Sequence, residues 1–188
     1  MNNTKSLKKV QRILRSHGGH WVGNGFPVRT LFAYPDLGQV VSPFLMLDYA
    51  GPMEFPPANE RLGVGEHPHR GFETVTIVYQ GEVAHRDSAG NGGVIGPGDV
   101  QWMTAGSGIM HQEMPKGNEN GQMHGFQLWA NLPASMKMTA PRYQDVEASD
   151  VPTIIDDDGT SVRVVVGEFW GKKGPVDGIA ADPQYLDI

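Results

Sequence analysis

Two short runs in this 188-residue chain bring together side chains that can hold a metal ion. His67-Pro68-His69 sets two imidazoles at i and i+2. Forty-two residues after His69 comes His111-Gln112-Glu113, with the same spacing. Alternate side chains of an extended segment share a face, so each run presents both of its ligand-type groups on one side. The strand expected over Ile109–Met114 puts Ile109, His111 and Glu113 on one face and Met110, Gln112 and Met114 on the other, where the apolar face can pack. A His/Glu face in an otherwise hydrophobic strand is costly unless something compensates the charge and the lone pairs. A metal does both. Three neutral nitrogens and one carboxylate suit Fe, Mn, Ni, Cu or Zn, and not Ca or Mg, which want oxygen cages. Four protein ligands would leave an open position on a five- or six-coordinate ion, which is what separates a catalytic site from a structural one.

Such pairs need neighbouring strands to hold them, and the sequence is rich in strands. Short β-prone runs alternate with turn residues at Val28–Tyr34, Thr74–Tyr79, Glu82–Arg86, Val100–Met103, Ile109–Met114, Gly125–Asn131 and Ser161–Phe169. That pattern predicts an antiparallel sandwich or barrel. Ala89-Gly90-Asn91-Gly92-Gly93 reads as a tight reversal, because Asn and Gly tolerate the positive φ of hairpin turns. Helical periodicity is almost confined to Leu7–Leu14, cut off by Gly18 and Gly19. Thr139–Asp158 is acidic and strand-poor, and is read as a connection between two units.

Composition narrows the classes. The 25 glycines and 14 prolines are spread along the chain as frequent turns, and 39% hydrophobic residues suffice for a core. Zero cysteines exclude disulfides, thiolate nucleophiles, Fe–S clusters and Cys-ligated zinc. A net charge of −6 argues against direct nucleic-acid binding. The basic residues Lys5, Lys8, Lys9, Arg12 and Arg15 crowd the N-terminus as a solvated arm. No apolar run approaches the ~20 residues that span a bilayer. Met1–His20 lacks the apolar core of a secretion signal. The expectation is a soluble, cytoplasmic protein.

The residues around the two pairs also carry a family resemblance. His67-Pro68-His69-Arg70-Gly71-Phe72-Glu73-Thr74-Val75-Thr76 and its continuation Gly81–Asn91 resemble the first cupin motif as it occurs in pirins. Pro97-Gly98-Asp99-Val100-Gln101-Trp102-Met103-Thr104-Ala105-Gly106, with Gly108-Ile109 and His111–Pro115, resembles the second, and Gly125–Pro133 the segment after it. The resemblance covers roughly Phe26 to Tyr143. It implies an all-β cupin jelly-roll barrel, an antiparallel double-stranded β-helix, holding one iron through His67, His69, His111 and Glu113. It further implies a metal-binding cupin over residues 1–140, followed at 141–188 by a connection and the opening strands of an incomplete second cupin.

The activity this implies is a metal-dependent dioxygenase of the quercetin (flavonol) 2,3-cleaving kind. Its substrates would be a small aromatic enol or flavonol and dioxygen. Glu113 would act as ligand and as base, in a dry pocket that brings its carboxyl toward neutrality. Iron is the metal implied by the family, and the donor set alone admits Mn, Ni, Cu or Zn. No organic cofactor is implied. The alternative is an iron-bearing regulatory protein that contacts a protein partner and turns nothing over. A sugar isomerase or storage-type cupin fits the quoted stretches less well. Glu73, His124 and Gln127 are candidates to orient a ligand or line the pocket, while His85, Arg86, Asp87 and Ser88 read as a structural hydrogen-bond cluster. Met103, Met110, Met114, Met123 and Trp102 read as core filling. Gly167 with Gly171-Lys172 has the wrong spacing for a phosphate loop, and Lys173 stands where Ser or Thr is needed. Ser161–Ile188 cannot close a barrel alone, so it either folds back on the first barrel or crosses to a second chain as a homodimer.

Overall fold

Runs of β-branched and aromatic residues, punctuated by glycine and proline, fold here as short antiparallel strands. The computed structural model describes residues 9–16, 18–54 and 62–188. In chain order, β1 (His20–Val22) and β2 (Phe26–Ala33) lead into the helix α1 (Tyr34–Val41). Then come β3 (Phe44–Glu54), β4 (Val64–His69), β5 (Phe72–Gln80), β6 (Glu82–Asp87) and β7 (Gly92–Ile95). They are followed by β8 (Val100–Thr104), β9 (Ile109–Lys116), β10 (Gln122–Asn131) and β11 (Arg142–Val146). The chain continues with β12 (Thr153–Ile155), β13 (Ser161–Val166), β14 (Glu168–Phe169), β15 (Lys172–Lys173) and β16 (Tyr185–Asp187).

Seven strands, ordered β1-β2-β3-β10-β5-β8-β11, make one wall of a jelly roll, and four, β4-β9-β6-β7, make the other. The antiparallel jelly-roll architecture expected from the sequence is what the chain adopts. The turn at Ala89–Gly93 joins β6 to β7, and Asp87 organises it. Its Oδ1 accepts the backbone N–H groups of Ala89 and Asn91 at 2.9 and 2.8 Å, and its Oδ2 accepts Asn91 Nδ2 at 2.8 Å.

Several elements depart from the expectation. The longest strand, β3, was not foreseen, because Asp48, Gly51 and Pro52 interrupt its apolar run. The helix was missed as well. Pro35 in its first turn fixes a helical φ, but α1 has no buried residue and so no apolar stripe to read. Of the helix expected over Leu7–Leu14, Leu7 and Lys8 lie outside the described residues, and residues 9–14 form neither helix nor strand. The supposedly strand-poor stretch 139–158 carries β11, which pairs with β8 from Arg142↔Thr104 to Val146↔Val100, and β12.

Within the single chain, Ser161–Ile188 folds back on its own barrel. The sheet β12-β13-β16 brings Val165 and Val166 into one core with Val75, Ile77, Val100, Trp102 and Leu128 from the outer face of the seven-stranded wall. Trp102 is 1% exposed and Val165 fully buried. Polar clamps fix the docking. Tyr79 Oη donates to Asp187 Oδ1 at 2.8 Å, Arg163 pairs with Asp187 at 3.0 Å, and Arg163 also donates to the carbonyl of Gly98. With this outer face covered, the inner face of the wall is left to the site.

Candidate metal centre

The two ligand-type runs lie on adjacent strands. β4 and β9 are antiparallel, and their register sets His67 directly opposite His111 and His69 opposite Ile109. Ring nitrogens of His67, His69 and His111 all fall within 4.8 Å of one another. The Nε2 atoms of His67 and His69 are 3.0 Å apart. His67 Nδ1 lies 2.8 Å from the carbonyl of Gly65, so Nδ1–H donates there and Nε2 keeps its lone pair for the cluster.

On β9 the His/Glu face is the buried one. Ile109, His111, Glu113 and Pro115 turn inward, whereas Met110, read as core filling, is 40% exposed. The face expected to pack is the less buried one, with Met110 exposed and Gln112 and Met114 half-buried, because the barrel closes over the polar face. Trp102, Met103 and Met123 do fill cores, and Met114 is half-buried.

The cluster's chemistry fits a metal. His111 is 1% exposed, and neither of its ring nitrogens has a hydrogen-bond partner among the described residues. Burial, then the neighbouring imidazoles of His69, His67 and His85, push its pKa down to about 3. Burial, then His67, lowers His69 to about 4. Neutral, dry imidazoles aimed at one point are costly as they stand and satisfied by a cation. Glu113 stands beside them, its Oε2 3.9 Å from His111 Nε2. Burial pushes its carboxyl up to about 7, with Gln127 pulling the other way.

Gln127, on β10, is locked into that role. The Trp129 indole N–H can only donate, and it meets Gln127 Oε1 at 3.0 Å. This turns Gln127 Nε2 toward Glu113 Oε1 at 2.9 Å and Thr76 Oγ1 at 3.2 Å. One carboxylate oxygen of Glu113 is thereby held, and the other faces the histidines. Trp129 also packs edge-on against His69, ring centroids 5.3 Å apart, and against Phe72 at 4.5 Å. A cavity of about 390 Å³ opens from this cluster, walled by Phe26, Val28, Met46, Met123 and Trp129. That volume is in the range of small-molecule sites.

The other sequence candidates lie elsewhere. Glu73 points to the opposite face of β5, where its Oε1 accepts Thr104 Oγ1 at 2.7 Å. Burial raises its carboxyl, and Thr104 and Trp102 oppose that. His124 stacks outside the cavity on Tyr49 and Tyr79, at 5.5 and 5.1 Å. His85 is buried against Tyr143, and its ring nitrogens have no hydrogen-bond partner among the described residues, so the turn cluster rests on Asp87 and not on His85. Thr76, Trp129 and the cavity residue Asp48 escaped the sequence reading. For the first two, alternation along β5 and β10 with Gln127 was the available signal.

With the geometry in view, the chain was compared with known proteins. The Pirin family profile matches residues 25–130. A Pseudomonas aeruginosa protein provisionally named quercetin 2,3-dioxygenase is 57% identical over 173 residues, which cover 90% of this chain and 60% of that protein. A pirin-like protein of Caulobacter vibrioides is 45% identical over 95% of this chain and 64% of its own length. A crystal structure of quercetin 2,3-dioxygenase from Acinetobacter baumannii superposes with a TM-score of 0.83 at 53% identity, covering 88% of this chain and 59% of that one. The chain thus spans about 60% of the length of these relatives. Among the described residues, no helix is long and apolar enough to cross a membrane.

Proposed function

The chain belongs to the pirin family of the cupin superfamily, and from that premise we propose that it is a metal-dependent dioxygenase acting on flavonols. The observation that carries the reading is the convergence of His67, His69 and His111 within 4.8 Å beside an apolar cavity that His67 and His69 line. The names borne by the P. aeruginosa and A. baumannii relatives support the substrate class. In this proposal His67, His69, His111 and Glu113 hold one divalent metal, iron by family and open to Mn, Ni, Cu or Zn by donor chemistry. When bound, the metal supplies Lewis acidity and a template for the oxygen atoms of the reactants.

The chain's own residues supply the rest. Phe26, Val28, Met46 and Trp129 give the cavity an apolar lining that suits an aromatic substrate. Glu113 would shift from ligand to base, its Oε2 taking the proton of the substrate's enol hydroxyl. In the metal-free chain burial raises that carboxyl to about 7, which makes it the more basic proton acceptor once it leaves the metal. Gln127 Nε2 keeps the carboxylate from rotating as it gains the proton. The test is aerobic incubation of the metal-loaded chain with quercetin. Oxygen uptake and bleaching of the flavonol absorbance are expected, and a strong chelator should abolish both. A metal-loaded chain that leaves quercetin untouched would favour the regulatory reading instead.

The proposed ligand set also sets a pH dependence. Metal binding requires ionised Glu113 and neutral imidazoles. His69 and His111, at about 4 and about 3, have already lost their protons throughout the neutral range. Glu113, at about 7 without metal, has not. Below about pH 7 the Glu113 proton must leave as metal binds, so apparent affinity should fall by at least about tenfold per pH unit from about pH 7 to pH 5. Chelator competition across that range measures it. A flat profile would take Glu113 out of the ligand set.

A further inference from the structure

The cavity holds a second carboxylate that the ligand set does not use. Asp48 lies on β3 between Met46 and Ala50, all three lining the cavity, and is only 6% exposed. Its neighbours across the wall are Thr30 on β2 and Gln127 on β10. Thr30 Oγ1 donates to Asp48 Oδ1 at 2.6 Å, Oδ2 makes no hydrogen bond among the described residues, and His20 on β1, which lines the same cavity, is near enough to favour the charged carboxylate. Oδ2 is not sealed in the wall, so it is accessible from the cavity as an acceptor that a donor on a bound ligand can reach. The register gives its position relative to the metal centre. Asp48 is one strand over from Gln127, whose amide touches Glu113, so a flat molecule anchored at the histidines can reach Asp48 with a second group.

We propose that Asp48 is a specificity residue whose free carboxylate oxygen accepts a second hydroxyl of the substrate, selecting polyhydroxylated planar aromatics over those with the enol hydroxyl alone. The proposal rests on the flavonol reading above and deepens it. It requires nothing of the metal beyond holding the enol end. The burial of Asp48, which raises its carboxyl, agrees with a group poised to share a proton with a phenolic hydroxyl.

The test measures anaerobic binding of quercetin and of 3-hydroxyflavone, which carries just the enol hydroxyl, to the metal-loaded chain by fluorescence quenching. The wild type should bind quercetin about tenfold or more tightly than 3-hydroxyflavone, as a hydrogen bond to a charged acceptor implies. Asp48→Ala should remove that margin and leave 3-hydroxyflavone binding within about twofold of wild type. Asp48→Asn can keep the Thr30 bond through its carbonyl while turning the free position from acceptor to donor. A phenolic oxygen can still accept from that amide, but without the charge the margin should shrink several-fold, and this variant serves if the alanine variant fails to fold. A margin that survives in both variants, or an equal weakening of both compounds in Asp48→Asn, would leave Asp48 with only its bond to Thr30 and overturn the proposal. Wild-type chain that binds neither compound would overturn the flavonol reading itself, and this inference with it.

Discussion

His111→Ala is expected to leave a folded chain that takes up metal about 100-fold more weakly or not at all. The ring is the centre of the cluster, facing His67 across the β4–β9 pair and lying 3.9 Å from Glu113 Oε2. Without it the remaining imidazoles, on one strand, have no nitrogen opposite them. The metal-free fold should tolerate the change because two costs oppose each other. Removing a large buried side chain leaves a cavity worth about 2–5 kcal/mol. Removing two unsatisfied ring nitrogens relieves about 1–3 kcal/mol each. Thermal melting with and without added metal separates the effects. The metal-free midpoints of wild type and variant should lie close, and the rise on adding metal should belong to the wild type alone. Retention of one metal per chain at wild-type affinity would remove His111 from the centre.

Much of this centre could be read in advance because its information is local. His67 and His69, and His111 and Glu113, are each two residues apart, and a period of two is the one geometric rule a strand imposes without knowledge of its neighbours. The register that sets His67 against His111 is not local, and only the fold supplies it. Gln127 could be suspected from its nearness to the motif, but its function depends on an indole two residues on and a carboxylate on another strand. Glu73 and His124 show the converse. Both sit close in sequence to site residues, yet strand alternation turns Glu73 away from the cavity and His124 packs on the outside. Met110 was misjudged because hydrophobicity alone assigns it inward, whereas the face carrying His111 and Glu113 takes the interior. Asp48 was hidden with its strand. An acidic residue, a glycine and a proline within eleven residues obscure the pattern of β3, and its buried carboxylate becomes visible only once β2 and β10 flank it.

Glu113→Gln should cost at least about 100-fold in turnover of quercetin at saturating metal, the usual scale for removing a general base. The substitution conserves shape closely. Trp129 fixes Gln127 with Nε2 forward, so the introduced amide can offer its carbonyl oxygen to that donor as Glu113 Oε1 does now. Its NH2 group then points at the histidines, where Oε2 stands in the native chain. A donor has replaced both a metal ligand and a proton acceptor. Metal retention should therefore weaken about 10- to 100-fold, less than in His111→Ala, because the three imidazoles remain. With metal raised to compensate, the missing base still limits the reaction, and its pH profile should lose the acidic limb that protonation of the native carboxyl imposes. Oxygen uptake followed across pH at saturating metal measures both effects. Wild-type turnover with the acidic limb intact would mean that the proton goes to another group, and of the cavity residues described above Asp48 would be the carboxylate next to test.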